Sequence, residues 1–193
     1  WARVLPSMRD SCDGIEMADS WSLDAHKTLN VPYDSGIILC RHREALMSAF
    51  KASASYFQWS EHRDSMNFRP SMSARARVIE LWAVLKTLGR QGVRSLIEQL
   101  CENARSFARL LSEQGFQIHN DVVLNQVLVS CDDDALTKGT LENIQSSGEC
   151  WCGGSTWHGR AVIRISVCDW ATTPREIERS VRAFVKARAM AAG

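Results

Sequence analysis

Between Val78 and Leu111 the apolar residues recur at helical spacing with one interruption, and this feature restricts the chain more than any other. Val78, Leu81, Trp82, Leu85 and Leu88 follow the i, i+3, i+4, i+7 pattern, and Gly89 and Gly92 then break it. Val93, Leu96, Ile97, Leu100, Ala104, Phe107 and Leu111 carry it on as far as Gly115. Two helices in tandem read as a long connector from one domain to another. The segments on either side have a different alphabet, so the chain is expected to be α/β rather than a helical bundle.

After Gly115 come "FQIH" and "VVLNQVLVS", which read as strands, and "DALTKGTLENIQSS", which reads as a helix. "ECWCGGSTW" and "RAVIRISVC" form an expected strand pair around Gly159. A last helix starts at a strong signal, with Thr173 as N-cap, Pro174 in the first turn and Glu176 placed to close a capping box. Its apolar face is Ile177, Val181, Phe184 and Val185. Residues 116–193 are therefore expected to form a small α+β domain. Ahead of the helices, "DSGIILCR" (34–41) follows the turn-forming "NVPYD" and reads as a buried strand, and "REALMSAF" opens a helix. Residues 52–72 have no sustained period, which marks a long loop of the kind that carries function or moves.

The formal net charge of +1 gives no overall field towards nucleic acid or an anionic membrane. No apolar run approaches the about 18 residues of a membrane-spanning helix. Seven cysteines, an odd number in mixed surroundings, suit a reducing compartment such as the cytoplasm. Cys150 and Cys152 form C-x-C without a second ligand pair at zinc spacing, so no metal is expected.

The residues with chemistry cluster in "ADSWSLDAHKTLNVPYDSGIILC". Lys27 follows His26 among Ser20, Asp24 and Thr28, and Pro32, Tyr33 and Asp34 shape a defined turn behind it. A lysine there is either a solvated loop cation or an amine poised as a nucleophile towards carbonyls. The second role requires an environment that lowers its pKa, and its usual product is a Schiff base.

This stretch resembles the cofactor-lysine segment of the group II pyridoxal-phosphate-dependent amino-acid decarboxylases, which include the aromatic amino-acid, histidine and glutamate decarboxylases. "SARARVIELWAVLKTLGRQG", "NDVVLNQVLV" and "IRISVCDWATT" resemble later parts of the same family, in the right order. The resemblance implies a fold-type I α/β architecture, pyridoxal 5′-phosphate as cofactor, an amino-acid substrate and a homodimer. By position, Lys27 matches the lysine that carries the cofactor, and His26 a residue near the cofactor phosphate. Asp24 stands where several members have an asparagine contacting that phosphate, an unfavourable place for an aspartate unless it is protonated or faces away. Tyr56 matches the tyrosine of the family's mobile catalytic loop, which protonates the substrate carbon; alternatively it is a packing residue. Ser73 lies where the family reaches across the dimer interface to the neighbouring active site. Arg164 matches an arginine that in some members approaches the substrate carboxylate, and is equally readable as a strand arginine paired with a surface acid.

The family's aspartate for the pyridine nitrogen lies upstream of the matching region. The resemblance thus implies the C-terminal part of such an enzyme: residues 1–90 as the end of the large cofactor domain, 91–115 as a connecting helix, and 116–193 as the small domain. The expected activity of the complete enzyme is decarboxylation of an L-amino acid to its amine. The alternatives are another reaction on the same scaffold, such as an aldehyde synthase or a carbon–carbon lyase, and a non-catalytic fragment.

Overall fold

The computed structural model describes residues 1–50 and 62–193. Four short 3-10 turns lead into strand β1 (Ser20–Asp24), one helical turn α1 (Ala25–Thr28) and strand β2 (Gly36–Cys40). β1 and β2 pair antiparallel from Ser20↔Cys40 to Asp24↔Gly36, so Lys27 stands on the connection between two hydrogen-bonded strands. The lysine segment is helical where a polar turn was expected. Ala25 and Leu29, one helical turn apart, are both buried, while Lys27 between them points outward.

Helix α2 (Arg43–Phe50) forms where "REALMSAF" predicts it, and a 3-10 turn at Ser65–Phe68 is capped by the Asp64 carboxylate, which accepts from the Met66 N–H at 3.1 Å. Helix α3 (Val78–Glu113) begins where the apolar periodicity does and is broken at Gly89, with φ 58° and ψ −173°. That left-handed conformation is open to glycine and costly for other residues. The helix ends in a Schellman arrangement: the Phe116 N–H reaches the Leu111 carbonyl at 3.1 Å and Gly115, at φ 80°, reaches Ser112 at 2.9 Å.

Strands β3 (Gln117–Ile118), β4 (Gln126–Ser130), β5 (Gly153–Trp157) and β6 (Arg160–Ser166) make an antiparallel sheet in the order β3-β4-β6-β5. His158 (φ 47°) and Gly159 (φ 80°) close the β5–β6 hairpin as a two-residue turn with both φ positive. Helices α4 (Asp134–Ser147) and α5 (Pro174–Ala192) back the sheet, and the expected Thr173/Glu176 capping box is present. Val127, Val129, Ile163 and Ile165 of the sheet bury against Phe107, Leu111, Ile144 and Phe184. A second cluster joins Leu5, Ala25, Leu29 and Val31 to Val93, Ile97 and Cys101. The second half of α3 is thus a spine common to both clusters, and the lysine turn is packed directly on it.

One expectation fails. β2 was predicted to be buried, yet Ile38 and Leu39 are 48% and 55% exposed, because the sheet that holds them has two strands and no covering layer over them. The first half of α3 is bare in the same way, with Val78, Ile79 and Trp82 each more than half exposed. Apolar surface of this extent marks a face that binds something else. The 193-residue chain on its own is therefore expected to self-associate in solution, measured by sedimentation. A monodisperse monomer with one cooperative melt would refute this.

Candidate active site

α1 is a short element, and three contacts define it. The Ala25 N–H donates to the Ser35 carbonyl at 2.9 Å, and the Ser35 N–H donates to His26 Nδ1 at 3.1 Å. The His26 ring lies 4.0 Å from the Tyr33 ring, centroid to centroid, tilted by 32°. Because Nδ1 accepts, a neutral His26 carries its proton on Nε2, the nitrogen that faces Asp24 Oδ1 at 4.0 Å.

Lys27 Nζ donates to Asp24 Oδ2 at 2.5 Å, and the lysine side chain is 62% exposed. This contact holds the Asp24 carboxyl below its usual range and the Lys27 amine above its own. The Tyr33 phenol raises the amine further, and the guanidinium of Arg164, on β6, opposes it. The environment that was expected to free the lysine as a nucleophile instead keeps it an ammonium. A short bond to a carboxylate outweighs the repulsion of a more distant cation. Its neutral form requires release of the Asp24 contact.

Asp24, His26 and Lys27 are brought together at the end of β1 and on α1, and the charge of Arg164, on β6, is felt at the Lys27 amine. Ser73 stands exposed in the irregular stretch ahead of α3, and no hydrogen bond among the described residues joins it to the cluster. That stretch is linked to the lysine turn by Arg77 Nε, 3.4 Å from Asp34 Oδ1. Tyr56 lies outside the described residues. Sequence reasoning missed Asn30, whose side chain bonds the Lys27 carbonyl and the backbone beyond β6. Its partners beyond β6 are 138 and 140 residues away in sequence, where no local pattern could show them. A groove of about 550 Å³ lies close by, with Leu29, Val84, Leu88, Leu96 and Trp170 in its wall, and neither Lys27 nor Arg164 lines it. Among the described residues no group of three His, Cys, Asp or Glu could hold a metal, and burial pushes the Cys152 thiol up to about 12.

Lys27 is thus an exposed primary amine on a packed turn, next to a half-buried histidine. Oryza sativa TDC with PLP and tryptamine superposes with a TM-score of 0.87 at 19% identity, covering 98% of this chain and 42% of that one. The architecture is that of fold-type I pyridoxal enzymes. The sequence matches the pyridoxal-dependent decarboxylase conserved domain over residues 2–131, and the chain belongs to that family. Aromatic-L-amino-acid decarboxylase from Sus scrofa is 26% identical over 174 residues, which is 86% of this chain and 36% of the relative. Phenylacetaldehyde synthase from Arabidopsis thaliana is 23% identical over 180 residues, 86% of this chain and 37% of the relative. The chain thus spans little more than a third of the length of these curated relatives.

Proposed function

We propose that this chain carries the cofactor lysine and the substrate-carboxylate arginine of an enzyme that converts an L-amino acid to its amine and carbon dioxide. The observation that carries the reading is the exposed amine of Lys27 on a turn packed against α3, inside the region that matches the pyridoxal-dependent decarboxylase domain. The residues present fit pyridoxal 5′-phosphate at the lysine end: the amine is exposed to solvent, and its main chain is held by buried neighbours. When bound, that cofactor supplies the conjugated ring that accepts the electrons of the broken carboxyl bond.

This chain's own residues have narrower tasks. Lys27 holds the cofactor covalently. Arg164 pairs with the substrate carboxylate and orients it. His26, locked by Ser35 and Tyr33, borders the cofactor phosphate. Asp24 pairs with the amine of Lys27, a contact that has to open before the amine meets the cofactor. Tyr56 is the proton donor to the substrate carbon, and Ser73 reaches the site of a second copy in a homodimer. We assign residues 1–90 to the end of the cofactor domain, 91–115 to the connecting helix and 116–193 to the small domain, in a cytoplasmic enzyme. No helix among the described residues is long and apolar enough to cross a membrane.

The test uses the full-length enzyme. Borohydride reduction in the presence of pyridoxal phosphate, followed by peptide mapping, is expected to place the pyridoxyl group on Lys27. A label on Lys86 or Lys138 instead would end the reading. The similarity to an aldehyde synthase supports one rival, oxidative conversion of the amino acid to an aldehyde. Product analysis decides between the two, since amine and aldehyde are mutually exclusive major products.

A further inference from the structure

The side chain of Asn30 makes three hydrogen bonds although the residue is exposed. Its Nδ2 donates to the Lys27 carbonyl at 2.8 Å and to the Cys168 carbonyl at 2.9 Å, and its Oδ1 accepts from the Trp170 N–H at 2.8 Å. The first bond holds the main chain of the lysine itself. The other two hold the segment that directly follows β6, the strand of Arg164. We infer that Asn30 is a positioning residue, fixing the Lys27 turn in register with β6 so that Lys27 and Arg164 address one substrate. This rests on the roles proposed above for those two residues.

The chemistry of the position supports this. Both amide protons and a carbonyl lone pair are used at once, which neither a carboxylate nor a hydroxyl can reproduce. The backbone has φ 50°, a left-handed conformation that asparagine adopts more readily than most other residues. A tie is only as firm as its anchor, and the anchor here is itself held from other sides. Asn125 Nδ2 donates to the Val167 carbonyl and the Val167 N–H to the Asn125 carbonyl, both at 2.9 Å. Asn103, buried on α3, donates to the Thr172 carbonyl at 2.9 Å, and the capping box fixes Thr173. Packing of Ala25 and Leu29 on α3 presses the turn inward but is non-directional, so it leaves sideways register free. The hydrogen bonds of Asn30 are directional and remove that freedom.

The charged and titratable groups that act on the Lys27 amine are Asp24 at the end of β1, Tyr33 on the following turn and Arg164 from β6. Only Arg164 depends on the register that Asn30 sets. The full-length enzyme carrying Asn30→Gly keeps the positive φ accessible and loses all three bonds. Its kcat/KM for the amino acid is expected to fall about tenfold, mainly through KM, as a small misplacement of positioning groups does. With Arg164→Ala already in place, the same change should cost less than about twofold. In cofactor-free enzyme, acetic anhydride should acylate Lys27 about twofold more slowly in Asn30→Gly at a fixed alkaline pH, because a withdrawn Arg164 no longer disfavours the ammonium. The Arg164→Ala background should abolish that difference too. Asn30→Ala, which loses both donors and the acceptor without adding charge, should behave alike and serves if the glycine variant fails to fold. Equal losses with and without Arg164, or no loss in either variant, would make Asn30 a brace of the fold and overturn the inference. Failure of borohydride to label Lys27 in the unaltered enzyme would instead strike the functional reading, while the acylation comparison, needing no cofactor, still decides the role of Asn30.

Discussion

Lys27→Arg in the full-length enzyme is expected to lower amine formation by about 10³-fold or more, the scale seen when a covalent group is removed. Arginine keeps the positive charge and can still pair with Asp24, so the variant separates charge from nucleophilicity. A guanidinium stays protonated at any accessible pH and has no free amine to offer a carbonyl. Lys27→Ala should lose activity to the same degree and also loses the ion pair. Both variants should melt close to the parent temperature, because the side chain is largely exposed and buries little apolar surface. Borohydride labelling of the chain should disappear in both. Amine formation by Lys27→Arg at near-normal rate would show that the lysine is only a counter-ion for Asp24.

Tyr56→Phe should leave cofactor and substrate binding intact and lower amine formation by about 10²-fold, as removal of a general acid does. After carbon dioxide departs, a proton must reach the carbon that lost it. Delivery elsewhere would give a carbonyl product in place of the amine. Phenylalanine keeps the ring and removes only the donor, so a rise in carbonyl product at the expense of amine is the expected signature. Product ratios by chromatography check it. Normal amine formation would reduce Tyr56 to packing, the alternative its sequence context also allows.

Much of this chain could be read without coordinates. The helical period of Val93 to Leu111 predicts a buried face, and Leu100, Ala104 and Leu111 are all but inaccessible. The capping box at Thr173 and the hairpin around Gly159 are local signals with local causes, and both are where the residues put them. The site was legible for a different reason. Asp24, His26 and Lys27 are neighbours in sequence, so their juxtaposition is nearly guaranteed once the segment is ordered.

Three features were not legible, and each depends on what a residue meets across space. "GIILC" has the composition of a buried strand, but burial is decided by the layers stacked on a sheet, and here Ile38 and Leu39 have none over them. The charge state of Lys27 follows from the 2.5 Å approach of Asp24 set against the reach of Arg164, a balance of distances that residue types do not contain. Asn30 reads as a turn residue in "LNVPY" and becomes a tie only because β6 ends beside it. The sequence by itself determined the family, the helices and the caps. The tertiary structure alone decided which strands stay bare and how the lysine turn is joined to the strand of Arg164, because these are set by contacts between segments more than a hundred residues apart or by layers a local pattern cannot see.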